Sequence, residues 1–177
     1  MGPVEINGLP AHALLVHAVV ILLPLACLLL VAGAAWPSWL SRMGLALPVL
    51  AVVSALLVPV TTHAGEWLEE RVPPDPLVER HATLGDGLLP WAVAVAVVAV
   101  LLWVASWRRL LPAGADAEGA RGATSGGAPV AVPYVLIRVV AVVVALVVAV
   151  GCCVQIYRIG DSGARAVWHD AFSTAPR

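Results

Sequence analysis

Apolar residues dominate four stretches of the chain, and more polar or glycine-rich segments separate them. The helices predicted from these stretches cover residues 10–35, 43–65, 77–108 and 133–158. Each supplies the roughly 20 apolar residues needed to cross the hydrocarbon layer of a membrane. Because that layer offers no water to the backbone, each stretch must satisfy its own hydrogen bonds as a helix. The pattern predicts an all-α fold, a four-helix transmembrane bundle forming a single membrane domain.

The composition supports a membrane protein and excludes two other classes. Of 177 residues, 61% are hydrophobic and 12% are charged, whereas soluble domains carry about a quarter charged residues. This composition excludes a water-soluble globular fold, and the expected surroundings are a lipid bilayer. The net charge of −1 provides no basic surface and excludes nucleic acids as partners. All three cysteines lie within or at the end of apolar runs, and we interpret them as packing residues.

The placement of arginines predicts how the bundle is oriented. Four arginines lie beside helix ends that share one side of the membrane: Arg42, Arg108, Arg109 and Arg138. By the positive-inside rule this side is cytoplasmic, which predicts an N-out/C-out topology. Arg158, beside the other end of the fourth stretch, is an exception. Residues 111–132 are rich in Gly, Ala and Ser and are interpreted as a flexible cytoplasmic linker.

The five histidines lie at the helix ends opposite those arginines, and they are the main candidates for chemistry. His17 lies about two turns inside the first helix, where an unpaired ionisable side chain is costly. We therefore expect its ring to point into the bundle, or to bond to the Val20 carbonyl that Pro24 leaves free. His12 is about 140° away around the helix and is expected to point elsewhere.

The expected environments of the other three histidines follow from their neighbours along the chain. His63 closes the second stretch, where Glu66 can fix its tautomer. His81 lies on an apolar face with Leu77 and Leu84 and extends the third helix outward. We expect His63 or His81 to share an interior cavity with His17, bordered by Thr62 and Glu66. His169, in the polar tail, is interpreted as solvated.

Imidazoles on different helices at similar depth are typical of b-type haem sites in membrane bundles. The sequence thus predicts His17, His63 and His81 as cofactor or metal ligands, with His12 as a further candidate. Zinc or copper would suit the same imidazoles. No serine has the context of a nucleophile, which favours an electron-transfer or binding module over an enzyme. A non-catalytic membrane subunit or anchor, with histidines that only pack, is a third possibility.

Four motifs together resemble the DUF2231 family of bacterial four-helix membrane proteins. They are NGLPAHALLVHAVVILLP at 7–24, VPVTTHAGEWLEERV at 58–72, ERHATLGDGLLPW at 79–91 and RIGDSGARAVW at 158–168. The resemblance implies a multi-pass protein of the bacterial inner (plasma) membrane. Some relatives are fused to Rieske or cytochrome c modules, which implies electron transfer with quinol or an extracytoplasmic redox protein. Asp161 stands where many relatives have histidine, which removes one potential ligand from this chain.

Overall fold

The computed structural model describes residues 4–6, 8–108 and 131–169. In chain order the elements are β1 Glu5–Ile6, β2 Leu9–Pro10, α1 Ala11–Ala35, α2 Pro37–Met43, α3 Ala46–Glu69, α4 Pro76–Asp86, α5 Leu88–Trp107 and α6 Ala131–Trp168. Most of the predicted linker at 111–132 lies outside the described residues, and its last positions already belong to α6.

The prediction of an all-α bundle with four membrane-spanning helices is confirmed. α1, α3, the consecutive helices α4 and α5, and α6 are each long and apolar enough to cross a membrane. α1 packs against α3 and α6, and α5 packs against the same two helices. The N-out/C-out orientation stays a prediction.

Helix ends differ from the predicted boundaries where capping residues determine them. The predicted third helix divides at Gly87 into α4 and α5. α4 begins at Pro76, and the Asp75 carboxylate accepts a hydrogen bond from the Leu77 amide at 2.7 Å. α2 was not predicted at all. It begins with Pro37 and ends at Gly44, whose φ of 53° suits glycine.

Two further features were not predicted: a short strand pair before α1 and an extension of α6. β1 and β2 form a two-stranded antiparallel pair with Glu5 opposite Pro10, and Gly8 turns between them with φ of 77°. The pair is too short to alter the fold class. α6 continues past the predicted residue 158 to Trp168 because its last turns pack against α4.

Small residues let the four spans approach closely, as is common between helices in membranes. Fully buried alanines occur on every span, at positions 26, 51, 92, 99 and 145. Large apolar side chains instead point outward, and Leu28, Leu56 and Leu101 are each more than 60% exposed. An apolar exterior around a core of small residues is the arrangement expected of a bundle surrounded by lipid.

The two ends of the bundle carry different chemistry. We call the end with Arg42, Arg108 and Arg138 the arginine end. Here Arg138 Nη2 of α6 donates to the Ala35 carbonyl at the C-terminus of α1, at 2.5 Å. We call the opposite end, with His12, His17, His63, His81 and His169, the histidine end. The predicted gathering of all five histidines at one end is therefore observed.

Candidate functional site

His12 lies in the first turn of α1 and reaches across to α3. Its Nδ1 donates to the carbonyl oxygen of Thr61 at 2.9 Å. A carbonyl only accepts hydrogen bonds, so Nδ1 carries the proton and Nε2 of the neutral ring keeps its lone pair. The ring is half-buried and joins the start of α1 to the end of α3.

His81 makes the equivalent contact between α4 and α6. Its Nδ1 lies 3.1 Å from the Ile159 carbonyl and 3.1 Å from Ser162 Oγ. Ser162 Oγ itself donates to the Ile159 carbonyl at 2.8 Å, so the hydroxyl is oriented by α6. The carbonyl again fixes the proton on Nδ1 and leaves Nε2 as the unprotonated nitrogen.

The two rings meet in the space between α1 and α4. Their centroids are 6.2 Å apart and their planes are nearly perpendicular, at 86°. His12 and His81 thus form a pair of imidazoles on separate helices, each anchored through Nδ1 to the backbone of a further helix. We call them the histidine pair.

Glycines on α3 and α6 make room for both rings. A Cβ at Gly65 would lie 2.9 Å from His12 Cε1 and Nδ1, and one at Gly163 would lie 3.0 Å from His81 Cε1. Contacts that short are not tolerated without movement of a neighbour. Each ring therefore packs directly against the backbone of a glycine. This contact fixes the plane of the ring, in addition to the hydrogen bond of its Nδ1.

The predicted orientation of the His17 ring, into the bundle, is wrong. Its side chain lies on the exposed outer face of α1, and its Nδ1 is bonded at 2.6 Å to the Ala13 carbonyl one turn earlier in the same helix. The predicted bond to the Val20 carbonyl is not the one formed. Because α1 buries the face that carries His12, Val19 and Leu23, a residue five positions after His12 must point outward.

The prediction that His63 or His81 shares an interior cavity with His17 is also wrong. His63 is exposed on α3, with Nδ1 3.5 Å from Glu66 Oε2, so the expected neighbour is present but lies on the surface. Thr62 Oγ1 donates to the Pro59 carbonyl at 3.1 Å, within its own helix. The expectation that His12 points away from the centre fails with it, since His12 is the partner of His81.

His169 and Asp161 belong to the same end of the molecule but not to the histidine pair. His169 Nε2 lies 4.0 Å from Asp75 Oδ2, which brings the end of α6 to the start of α4. Asp161 accepts hydrogen bonds from Arg165 Nε at 2.9 Å and Nη2 at 3.2 Å on the exposed side of α6.

Sequence reasoning missed the residues that hold the histidine pair. They are Thr61, Gly65, Ile159, Ser162 and Gly163. Two of them act through backbone carbonyls and two through the absence of a side chain, so residue type alone gives little signal. Position does give one, because Ser162 and Gly163 lie within the GDSGA segment of the fourth motif.

The histidine pair brings two imidazoles together. Within residues 4–6, 8–108 and 131–169, no group of three or more His, Cys, Asp or Glu side chains is arranged to hold a metal ion. Zinc sites in proteins take three or four protein ligands, whereas haem iron takes at most two, because the porphyrin supplies the others. Two imidazoles match the number of protein ligands that haem iron takes.

Comparison with known proteins identifies the family. No curated protein and no solved structure matches the chain. A model of a family described as a predicted membrane protein, DUF2231, matches residues 8–176. That match covers all four membrane-spanning helices and both histidines of the pair, and the chain therefore belongs to the DUF2231 family.

Proposed function

We propose that this integral membrane protein is an electron-transfer module that binds b-type haem through His12 and His81. The observation that carries the proposal is the arrangement of the two rings: they lie on separate helices, and each Nδ1 is bonded to a backbone carbonyl, so that Nε2 is the nitrogen with a lone pair in each neutral ring. A histidine that ligates a metal usually donates its other ring nitrogen in this way, which fixes its tautomer and orientation.

The spacing of the rings supports the same conclusion. Two imidazoles on opposite sides of one metal would have ring centroids about 6 Å apart, because each metal–nitrogen bond is about 2 Å long and each centroid lies about 1 Å behind its nitrogen. The observed separation is 6.2 Å. α1 packs against α3 and α6, and α4 packs against α6. α1 and α4 have no extensive interface with each other, and the histidine pair bridges these two helices.

The position of the histidine pair at one end of the bundle determines where electrons would be exchanged. When bound, haem supplies a one-electron redox couple. The chain's own task is to orient the two rings and to hold them at the histidine end, within reach of the water-exposed surface. With the arginine end cytoplasmic, this end faces outward from a bacterial inner membrane. There, quinol from the bilayer or an extracytoplasmic redox protein would be the exchange partner.

The absorption spectrum of the detergent-purified protein, oxidised and then reduced with dithionite, tests the proposal. We expect a Soret band and a sharp reduced α-band after expression with haem supplementation or reconstitution. His12→Ala and His81→Ala should each abolish both bands, whereas His17→Ala and His63→Ala should retain them. The near-perpendicular ring planes further predict a highly anisotropic low-spin ferric signal in electron paramagnetic resonance. A colourless protein after reconstitution would overturn the proposal.

A second candidate function is supported by the same contacts. His12 bridges α1 to α3 and His81 bridges α4 to α6, so each ring also fastens one helix to another. A non-catalytic subunit or anchor needs only these bridges. In that case His12→Gln and His81→Gln would lower the melting temperature of a protein that binds neither haem nor a metal ion. Stoichiometric zinc or copper in the purified protein, without haem, would instead select a non-redox metal-binding function.

A further inference from the structure

A small cavity beside the histidine pair has a lining of unusual charge. It lies between α4 and α6, has a volume of about 80 Å³, and is lined by Arg80 of α4 and by Arg158 and Arg165 of α6. Asp161 is the acidic residue in the lining. Arginines from two helices thus converge on a single space at the histidine end.

The charges in this cavity are only partly balanced. Asp161 forms a two-pronged ion pair with Arg165, at 2.9 and 3.2 Å. Within the described residues, neither Arg80 nor Arg158 lies within 4 Å of a carboxylate oxygen. Both guanidinium groups therefore have unused hydrogen-bond donors and an uncompensated positive charge.

The cavity lies where the apolar part of the bundle ends. Apolar residues dominate α6 as far as Ile156, and the next residue, Tyr157, lines the cavity and is 74% exposed. Leu77 and Leu84 of α4 form its apolar side. Tyrosine and arginine at the end of an apolar run are typical of the headgroup layer, where phosphate groups are concentrated.

We infer that this cavity binds a phosphate group, carried by an anionic phospholipid headgroup or as free inorganic phosphate. Arginine binds phosphate through paired, charge-assisted hydrogen bonds, and guanidinium groups from two helices can approach such a group from two directions. A space of about 80 Å³ exceeds the roughly 10–15 Å³ that one water molecule needs and suits a compact tetrahedral oxyanion. This inference does not depend on haem.

The site also has a direct connection to the histidine pair. Ser162 lines the cavity, and its Oγ lies 3.1 Å from His81 Nδ1. A phosphate group in the cavity would therefore lie close to the segment of α6 that positions the His81 ring.

Binding to the full-length, delipidated protein in detergent tests the inference, with the shift in melting temperature as the signal. Dioctanoyl phosphatidylglycerol, dioctanoyl phosphatidylcholine and sodium phosphate are titrated separately at constant ionic strength. Stabilisation by phosphatidylglycerol alone identifies the lipid headgroup as the source, and stabilisation by sodium phosphate as well identifies a site for the free anion. Equal stabilisation by phosphatidylglycerol and phosphatidylcholine, or none by any of the three, would overturn the inference.

Two arginine variants and a matched control locate the binding. Arg80→Gln and Arg158→Gln should each weaken the apparent affinity about tenfold, since each removes a charged hydrogen-bond donor. Arg71→Gln removes the same charge at the same end of the molecule, but Arg71 stacks on Trp67 outside the cavity. The apparent affinity of the Arg71→Gln variant for the phosphate ligand should therefore be unchanged.

Asp161→Asn should change the phosphate affinity in the opposite direction. It removes the acidic group from the lining and releases Arg165, so the affinity should increase. Variants that merely damaged the fold would not bind more tightly than the parent protein. Unchanged affinity in both Arg80→Gln and Arg158→Gln would exclude the cavity as the site.

Discussion

At the scale of single residues, glycine determines how closely the histidine rings approach the neighbouring helices. Gly160 and Gly163 lie on the same helix, three residues apart, but only Gly163 faces His81. Gly163→Ala should destabilise the protein by about 1–3 kcal/mol through overpacking against the ring. Gly160→Ala adds a methyl group in open space and should stabilise the helix by up to about 1 kcal/mol. Denaturation in mixed micelles compares the two, and equal effects would contradict the packing described for His81.

Arg138 offers a second test at this scale. Its Nη2 donates to the Ala35 carbonyl, one of the carbonyl groups that α1 leaves unpaired at its C-terminus. Arg138→Met keeps much of the side-chain length but removes the donor, and it should cost about 1.5–3 kcal/mol of stability. Arg108→Met, at an exposed position of the same end, should cost little. The two free energies of unfolding, measured under identical conditions, decide the matter.

The choice of the wrong histidine on α1 has a physical explanation. Depth along the helix favoured His17, but depth does not determine which face of a helix is buried. That information lay in the small residues. His12, Val19, Ala26 and Gly33 follow one another at intervals of seven, and the last three are buried. Small residues mark the face where helices approach in a membrane, so this stripe could have identified His12 from the sequence.

At the scale of whole elements, the apolar runs were sufficient to locate the spans but not their ends. The division between α4 and α5 depends on Gly87. The side-chain amide of Gln155 occupies the space beside it, and a Cβ at Gly87 would lie 2.9 Å from Gln155 Nε2. Gln155 also donates to the Leu84 carbonyl at 2.6 Å. A contact between residues so distant in sequence leaves no periodic signal, which is why the break was not predicted.

The orientation of the elements can be tested with a pair of cysteine reporters. In a variant with the three native cysteines replaced, Ser41→Cys places a reporter on exposed α2 at the arginine end. Pro73→Cys places one in the exposed loop before α4 at the histidine end. In intact cells an impermeant maleimide should label Pro73→Cys and should reach Ser41→Cys only after permeabilisation. The reverse pattern would place the histidine pair on the cytoplasmic side.

At the scale of the whole molecule, the bundle is longer than a membrane is thick. α6 has 38 residues, which at 1.5 Å per residue correspond to about 57 Å, against a hydrocarbon layer of about 30 Å. The polar last turns of α6 and the whole of α4 therefore belong to a part of the molecule that projects beyond the hydrocarbon layer at the histidine end.

Hydrogen–deuterium exchange of the protein in lipid nanodiscs measures this projection. Backbone amides of α5 and of the middle of α6 should exchange slowly, because lipid and neighbouring helices exclude water. Amides of α4 and of the end of α6 should exchange faster, although they are equally helical. Uniformly slow exchange along α6 would mean that the histidine end is covered by something other than this chain.

The length of α6 also has a mechanical consequence. The same helix holds the end of α1 through Arg138 and, about 30 Å further along its axis, holds His81 through the Ile159 carbonyl and Ser162. A helix is stiff over such a distance, so α6 connects these two contacts rigidly. A tilt imposed at either side of the bilayer would displace the carbonyl that orients His81. Mechanical strain applied at one face of the membrane would in this way change the geometry of the imidazoles at the other.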